Sequence, residues 1–309
     1  MEPNGILPLW KEPGMTSHDC VFRLRKILKT KKVGHTGTLD PQVDGVLPIC
    51  LGRSTKVAEY ITDQGKTYEA QVLIGYSTET EDAEGAVVDQ DPSEKTISRN
   101  QLEAALESLT GDIEQIPPMY SAVKVNGRKL YEYARKGETV DRPVRTVRID
   151  SIELLDHNDS WSGQNIRFRI RIRCGKGTYI RTLAVQIGQA LGYPAHMSQL
   201  TRTESGSFTK AQCVTLAEVE DIAQNGDIGS VLQPIAYGLS AFPFTELTPD
   251  LMFGIKNGQV LDAHPILKEK PFIVFTYGGE PVALYKRHPD KAGKMKPEKM
   301  FGFPKTGEV

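Results

Sequence analysis

Between Asn165 and Cys174 the chain alternates strictly, with Ile166, Phe168, Ile170 and Ile172 on one side and Arg167, Arg169, Arg171 and Arg173 on the other. A period of two predicts a strand with one buried and one cationic face. Tyr68, Ala70, Val72 and Ile74 alternate with Glu69 and Gln71, which predicts another strand beginning at Tyr68. Helical spacing takes over in Val21, Leu24, Ile27 and Leu28. An N-cap at Thr16 or Ser17 precedes them, Asp19 sits in the first turn, and lysines suit the negative C-terminal end. Ser98 with Gln101 makes a capping box ahead of Leu102, Ala105, Leu106 and Leu109, and Thr215 with Glu218 makes another ahead of Val219 and Ile222. After the Gly175-Lys176-Gly177 turn, Ile180, Leu183, Ile187 and Leu191 mark a helix that Gly192 and Pro194 close.

Strands and helices alternate without a regular βαβ rhythm, so the pattern predicts an α+β fold. Past Ala236 prolines recur, and Phe272–Tyr277 and Val282–Lys286 read as short strands around Gly278-Gly279. A length of 309 residues suits two domains, expected as 1–239 and a small, mostly-β 240–309.

Composition narrows the class. Hydrophobic residues are 39% and charged residues 25%, ordinary for a globular core. The longest apolar run near Asp40 is Val46 to Leu51, far short of the roughly 20 residues that span a bilayer. Residues 1–14 carry neither a basic nor an apolar leader pattern, and Cys20, Cys50, Cys174 and Cys213 are too scattered for a disulfide framework or a zinc knuckle. A reduced, cytoplasmic protein is expected, neither membrane-bound nor secreted.

The net charge of −1 hides an uneven distribution. Residues 79–94 hold seven acids and no base, whereas Arg23, Arg25, Lys26, Lys29, Lys31 and Lys32 form a basic block. Lys124–Arg148 holds eight bases against three acids, and Arg167–Arg202 holds seven bases and no acid. If these blocks met they would form one face for a polyanion; charge alone equally fits separate solvated faces.

No dinucleotide or P-loop glycine pattern, no His-Glu-x-x-His pair and no Gly-x-Ser-x-Gly elbow occurs, so neither a cofactor nor a metal is expected. The segment from Lys32 to Pro48 is punctuated by Gly34, Gly37, Gly45, Pro41 and Pro48, as in loops that hold one side chain in place, here His35, Asp40 or Asp44. Spacing alone favours a plainer reading, a tight loop with Asp40 in an Asx turn. Likewise Arg181 reads alone as a surface cation and Tyr179 as a half-buried packing residue.

Gly34-His-Thr-Gly-Thr-Leu-Asp-Pro41 followed by Gly45-Val-Leu-Pro-Ile-Cys50 resembles the catalytic motif of bacterial tRNA pseudouridine-55 synthases of the TruB type. The resemblance continues through Lys66-Thr-Tyr68, Gly111–Pro117 with Tyr120-Ser-Ala122, Lys129–Ala134, Lys176–Thr182 and Ala195-His196 with Leu200, from Asn4 to about Arg202. It implies a catalytic domain on a mixed, largely antiparallel sheet with flanking helices, followed by a PUA-like RNA-binding domain at 240–309. The implied reaction isomerises a T-loop uridine of tRNA to pseudouridine by base flipping, without a cofactor; a monomer is expected. Asp40 would be the catalytic carboxylate, and Arg181 would hold it ionised. Tyr68 would stack on the target base or assist the last deprotonation. Tyr179 and Leu200 would line the uridine pocket, and His35 would take the space the extruded base leaves. Residues 116–141 resemble a mobile thumb that closes over the RNA. Where many relatives carry Ser or Thr, this chain has Asp44, which is expected to point away from Asp40. Alternatives are a tRNA-binding folding chaperone and a pseudouridine synthase acting on a different RNA.

Overall fold

A computed structural model of the chain describes residues 3–303, and its framework is a nine-stranded sheet. The strands are β1 (Gly5–Lys11), β2 (Val33–His35), β3 (Asp44–Leu51), β4 (Lys66–Ile74), β5 (Gly111–Gln115), β6 (Arg145–Leu154), β7 (Ile166–Cys174), β8 (Ala195–Ser205) and β9 (Phe208–Thr209). They run across the sheet as β1-β3-β8-β4-β7-β6-β5, with β2 also on β3 and β9 on β8. Only β3 with β8 is parallel. Helices flank this mixed, largely antiparallel sheet, so the fold is α+β.

Register decides which side chains share a face. β7 lies against β4 with Ile172 opposite Tyr68, Ile170 opposite Ala70 and Arg171 opposite Glu69. Opposed residues of an antiparallel pair point the same way. The apolar face of β7 therefore joins Tyr68 and Ala70. It packs on Leu102 and Leu106 of α2 (Arg99–Ser108) and on Leu183 and Ile187 of α3 (Ile180–Leu191). On the opposite face Arg169 pairs with Asp156 at 3.0 Å, Arg171 with both Glu69 and Glu153 at 2.9 Å, and Arg173 with Glu204 at 3.8 Å. Three of the four arginines of the stripe are thus matched by acids of neighbouring segments, and the stripe lies across the sheet from Tyr68. It does not add to a positive face at that residue.

The caps read from sequence form. Thr16, not Ser17, caps α1 (Ser17–Ile27), in a reciprocal box with Asp19; Ser98 and Gln101 do the same for α2, as do Thr215 and Glu218 for α4 (Leu216–Gln224). Gly192 ends α3 at φ +82°, a left-handed conformation that suits glycine.

A second sheet follows, with β10 (Phe244–Glu246), β11 (Leu261–Asp262), β12 (Phe272–Tyr277), β13 (Glu280–Arg287) and β14 (Lys294–Met300) ordered β10-β12-β13-β14-β11. Ile273, Phe275, Ala283, Tyr285 and Met295 form its own core with Ile255 of α5 (Pro249–Lys256). Val274, Leu284 and Phe301 instead join Ile6, Val46, Cys50 and Ile61 of the first sheet's layer. Polar contacts reinforce that seam, where Lys56 donates to the Met300 carbonyl at 2.7 Å and Lys299 pairs with Glu59 at 2.6 Å. Residues 304–309 of the expected second domain lie outside the described residues. Among the described residues no helix is long and apolar enough to cross a membrane.

Candidate active site

β3 presents one edge to two strands: β2 pairs with it from Leu51 to Ile49, and β8 meets it at Asp44 and Gly45. Between those contacts residues 36–43 leave the sheet, and the carbonyls stranded on β3 need other donors. The Pro48 carbonyl accepts from Thr36 N and Oγ1 at 3.2 and 3.1 Å, and the Val46 carbonyl accepts from Arg202 Nε at 2.8 Å. Gly45 permits this junction. Its φ is +134°, and a Cβ there would stand 2.3 Å from the Arg202 carbonyl oxygen.

The loop itself is pinned from α1 and β1. Leu39 N donates to Ser17 Oγ at 2.9 Å and Gly14 N to the Pro41 carbonyl at 2.9 Å. Lys11 Nζ donates to the carbonyls of Pro41 (3.0 Å), Val43 (2.7 Å) and Glu12 (3.0 Å). Lys11 is fully buried, and that burial pulls its ammonium below the usual lysine range. Held by Ser17 Oγ, which accepts on one side of Asp40, and by Gly14 N and Lys11 Nζ, which donate on the other, the backbone leaves the Asp40 side chain to project into a cleft.

Arg181 comes to the same cleft from the first turn of α3. Helix α3 has no side-chain cap of its own. Buried Gln115 at the end of β5 takes that role, accepting from Tyr179 N at 2.9 Å and donating to the Tyr179 carbonyl at 3.2 Å. The guanidinium then meets Asp40 Oδ2 through Nε at 3.0 Å and Asp82 Oδ2 through Nη1 at 3.6 Å. Nη1 also donates to the Thr80 carbonyl at 3.0 Å and Nη2 to the Tyr120 carbonyl at 2.9 Å. With 5% of its side chain exposed, Arg181 is no surface cation.

The cleft has a volume of about 280 Å³, and its walls include Asp40, Tyr68, Tyr179, Arg181, Leu200 and Arg202. Five of the six residues to which the resemblance gives a role therefore meet in one place. His35 does not line the cleft; its ring lies beside it, with Nδ1 accepting from Gly37 N at 3.3 Å. Asp44 stands apart from Asp40. Register places it beside Thr201, on the sheet face opposite Leu200 and Arg202, and its Oδ1 accepts from Thr201 Oγ1 at 2.6 Å. The carboxylate that neighbours Asp40 through Arg181 is instead Asp82, held by Thr80 Oγ1 and by Glu84 N.

Residues 116–141 contribute Ser121 and Ala122 to the wall. Their aromatics and cations stack on each other, Arg128 over Tyr133 at 4.1 Å and Arg135 over Tyr131 at 5.3 Å.

Electrostatics differ from expectation in one respect. Arg181 favours ionised Asp40, but burial is the larger influence and Asp82 adds to it, so the Asp40 carboxyl sits above its ordinary value. Burial likewise raises the Tyr68 phenol, against the smaller pull of the Arg202 guanidinium. Lys66, on the cleft wall, is brought down to about 8 by burial and by Arg202. Among the described residues no group of three or more His, Cys, Asp or Glu side chains is placed to hold a metal ion.

Lys11, Gln115, Asp82 and Arg202 were not singled out from the sequence. Lys11 had a signal, a lone cation ending the apolar run Ile6–Trp10. Asp82 and Arg202 had none, being single members of charged blocks.

Residues 25–180 match the family described as TruB family pseudouridylate synthase (N terminal domain), and residues 181–240 match the tRNA pseudouridylate synthase B C-terminal domain. Those matches define the class of the cleft, that of the pseudouridylate synthases, which are isomerases. A Bacillus cytotoxicus protein named tRNA pseudouridine synthase B is 53% identical over 298 residues, covering 96% of this chain and 97% of its own. A Geobacillus thermodenitrificans protein of the same name is 53% identical over 300 residues, covering 96% and 99%. Among solved structures, a Cbf5-Nop10-Gar1 complex matches with a TM-score of 0.71 and 28% identity, covering 96% of this chain and 84% of that one. An H/ACA RNP bound to a substrate RNA containing 2'-deoxyuridine matches with a TM-score of 0.69 and 26% identity, covering 98% and 86%. The chain belongs to the TruB family of pseudouridylate synthases.

Proposed function

We propose that the chain converts one uridine of tRNA, position 55 in the T-loop, to pseudouridine, with Asp40 as the catalytic carboxylate. The observation that carries this is the Asp40–Arg181 pair at 3.0 Å, facing a cleft of about 280 Å³ walled by Tyr68, Tyr179 and Leu200. The relatives' shared name supports tRNA as the substrate.

The reaction balances within one nucleotide. The bond from N1 to C1′ breaks, C5 bonds to C1′, the C5 proton leaves and N1 gains a proton. Inside a folded T-loop the uracil is out of reach, so it is flipped into the cleft at a cost of a few kcal/mol that stacking and pocket contacts offset. Asp40 acts ionised, whether toward a carbon or toward a sugar proton. Arg181 fixes its oxygen and supplies the neighbouring positive charge. Tyr68 offers a flat, buried wall for the base, and its raised phenol suits stacking better than proton removal. Residues 116–141 close over the RNA, His35 fills the space the base vacates, and the sheet of residues 244–300 extends RNA contact as a small PUA-like domain. The protein works as a cytoplasmic monomer. A protein that only bound or refolded tRNA would have no use for a carboxylate held against a buried arginine.

The test is to incubate the protein with an unmodified tRNA transcript and map carbodiimide adducts by reverse transcription. One new stop at the T-loop uridine is expected. Stops elsewhere only would assign a different RNA position, and no stop at all would defeat the reading.

A further inference from the structure

Helix α1 carries an exposed stripe that the cleft chemistry does not use. His18, Phe22 and Lys26 are four residues apart, so they stand in line on one side of the helix. At one end His18 packs edge-on against His35, with ring centroids 5.6 Å apart and planes at 73°. At the other end Lys26 Nζ lies 4.5 Å over the Phe22 ring. Phe22 is left 57% exposed. The surroundings are cationic, with Arg23, Arg25, Lys29 and Lys31 all exposed. The one acid on this turn, Asp19, is taken up by the cap, where its Oδ2 accepts from Thr16 N at 2.9 Å and Thr16 Oγ1 at 2.7 Å. The stripe is continuous with the cleft, since His35 accepts from the amide of Gly37, a cleft-wall residue.

We propose that His35, His18, Phe22 and Lys26 form a second RNA-contacting surface leading away from the cleft, on which unpaired nucleotides beside the target uridine stack. The inference rests on the tRNA reading above. The exposed rings of His18 and Phe22 in line, with Lys26 over Phe22 and exposed cations around the helix, match what unpaired RNA presents, a π-face on every base and a phosphate at every step. Charge complementarity selects RNA as the occupant. An apolar protein partner would gain nothing from the ring of like charges around Phe22.

The experiment measures tRNA affinity by filter binding, alongside steady-state pseudouridine formation, for Phe22→Ala, His18→Ala and Phe22→Tyr. Stacking one base on one ring accounts for about tenfold in affinity, so each alanine variant is expected to weaken tRNA binding about tenfold. The loss should appear in KM rather than kcat, and Phe22→Tyr should restore affinity because the ring is kept. Lys26→Ala should lower the slope of log affinity against log salt by about one contact's worth. Unchanged affinity in Phe22→Ala and His18→Ala together would overturn the proposal, as would a loss confined to kcat or one that Phe22→Tyr fails to repair. Wild-type protein that binds tRNA through this stripe yet modifies no uridine would defeat the functional reading and leave the surface standing.

Discussion

On one face of the central sheet Arg202 lies opposite Tyr68, is buried, and donates to the carbonyls of Val46 at 2.8 Å and Gly37 at 3.2 Å. On the other face, one position along on β7, Arg171 lies opposite Glu69, is 44% exposed, and pairs with Glu69 and Glu153. The residue type is the same and both strands border β4, but the work differs. The exposed pairs sit in high dielectric, where each contributes at most about 1 kcal/mol. The buried guanidiniums of Arg202 and Arg181 hold loop carbonyls and a carboxylate in place, where an uncompensated partner is costly. Burial, not the count of charges, separates the guanidiniums that build the cleft from those that coat the open face of the sheet.

The comparison breaks most readily at Arg181. Arg181→Met removes the partner of Asp40 and Asp82 and strands the carbonyls of Thr80 and Tyr120. A loss of about 3 kcal/mol is expected in urea unfolding, the low end for a broken buried pair because Asp40 is 42% exposed, and pseudouridine formation should vanish. Gly45→Ala comes next. Its Cβ would press on the Arg202 backbone at 2.3 Å with φ at +134°, and about 2–3 kcal/mol of destabilisation is expected, read as a lower urea midpoint.

The acid limb of the activity profile sharpens the electrostatic half of the comparison. Burial raises the Asp40 carboxyl, so if Asp40 is the carboxylate that acts ionised, as proposed, activity should fall as pH drops through a midpoint above the ordinary carboxylate value. Asp82 adds to that raise, so Asp82→Asn should move the midpoint to lower pH even while it lowers the maximum rate. A midpoint that stays put would show that burial alone sets it. The smallest effect belongs to the exposed face. Arg171→Ala should cost no more than about 1 kcal/mol in the same unfolding measurement and leave pseudouridine formation unchanged.

These contrasts show what could be read beforehand. Period-two alternation is local, so β7 and its two faces were legible, as were the capping boxes of α2 and α4. That the arginines of β7 would meet Glu69, Glu153 and Glu204 depends on register between distant strands, which periodicity does not encode. Glycines and prolines marked the loop around Asp40, but spacing alone favoured an Asx turn. Arg181 reaches that carboxylate across a long separation in the chain, and the pairing was implied only by family resemblance. Asp82 was invisible for the opposite reason, since an acid in a run of acids carries no local sign that it will be half-buried against an arginine.

In the proposed reading the Asp40 carboxylate, not the cleft's grip on RNA, makes the reaction. The direct measurement is tritium release from a tRNA transcript carrying 5-tritiated uridine, comparing wild type with Asp40→Asn, with tRNA affinity measured on both. Wild type should release one equivalent from the T-loop uridine, and the variant should bind tRNA as tightly and release none. Release by Asp40→Asn at a rate near wild type would contradict that role for the carboxylate.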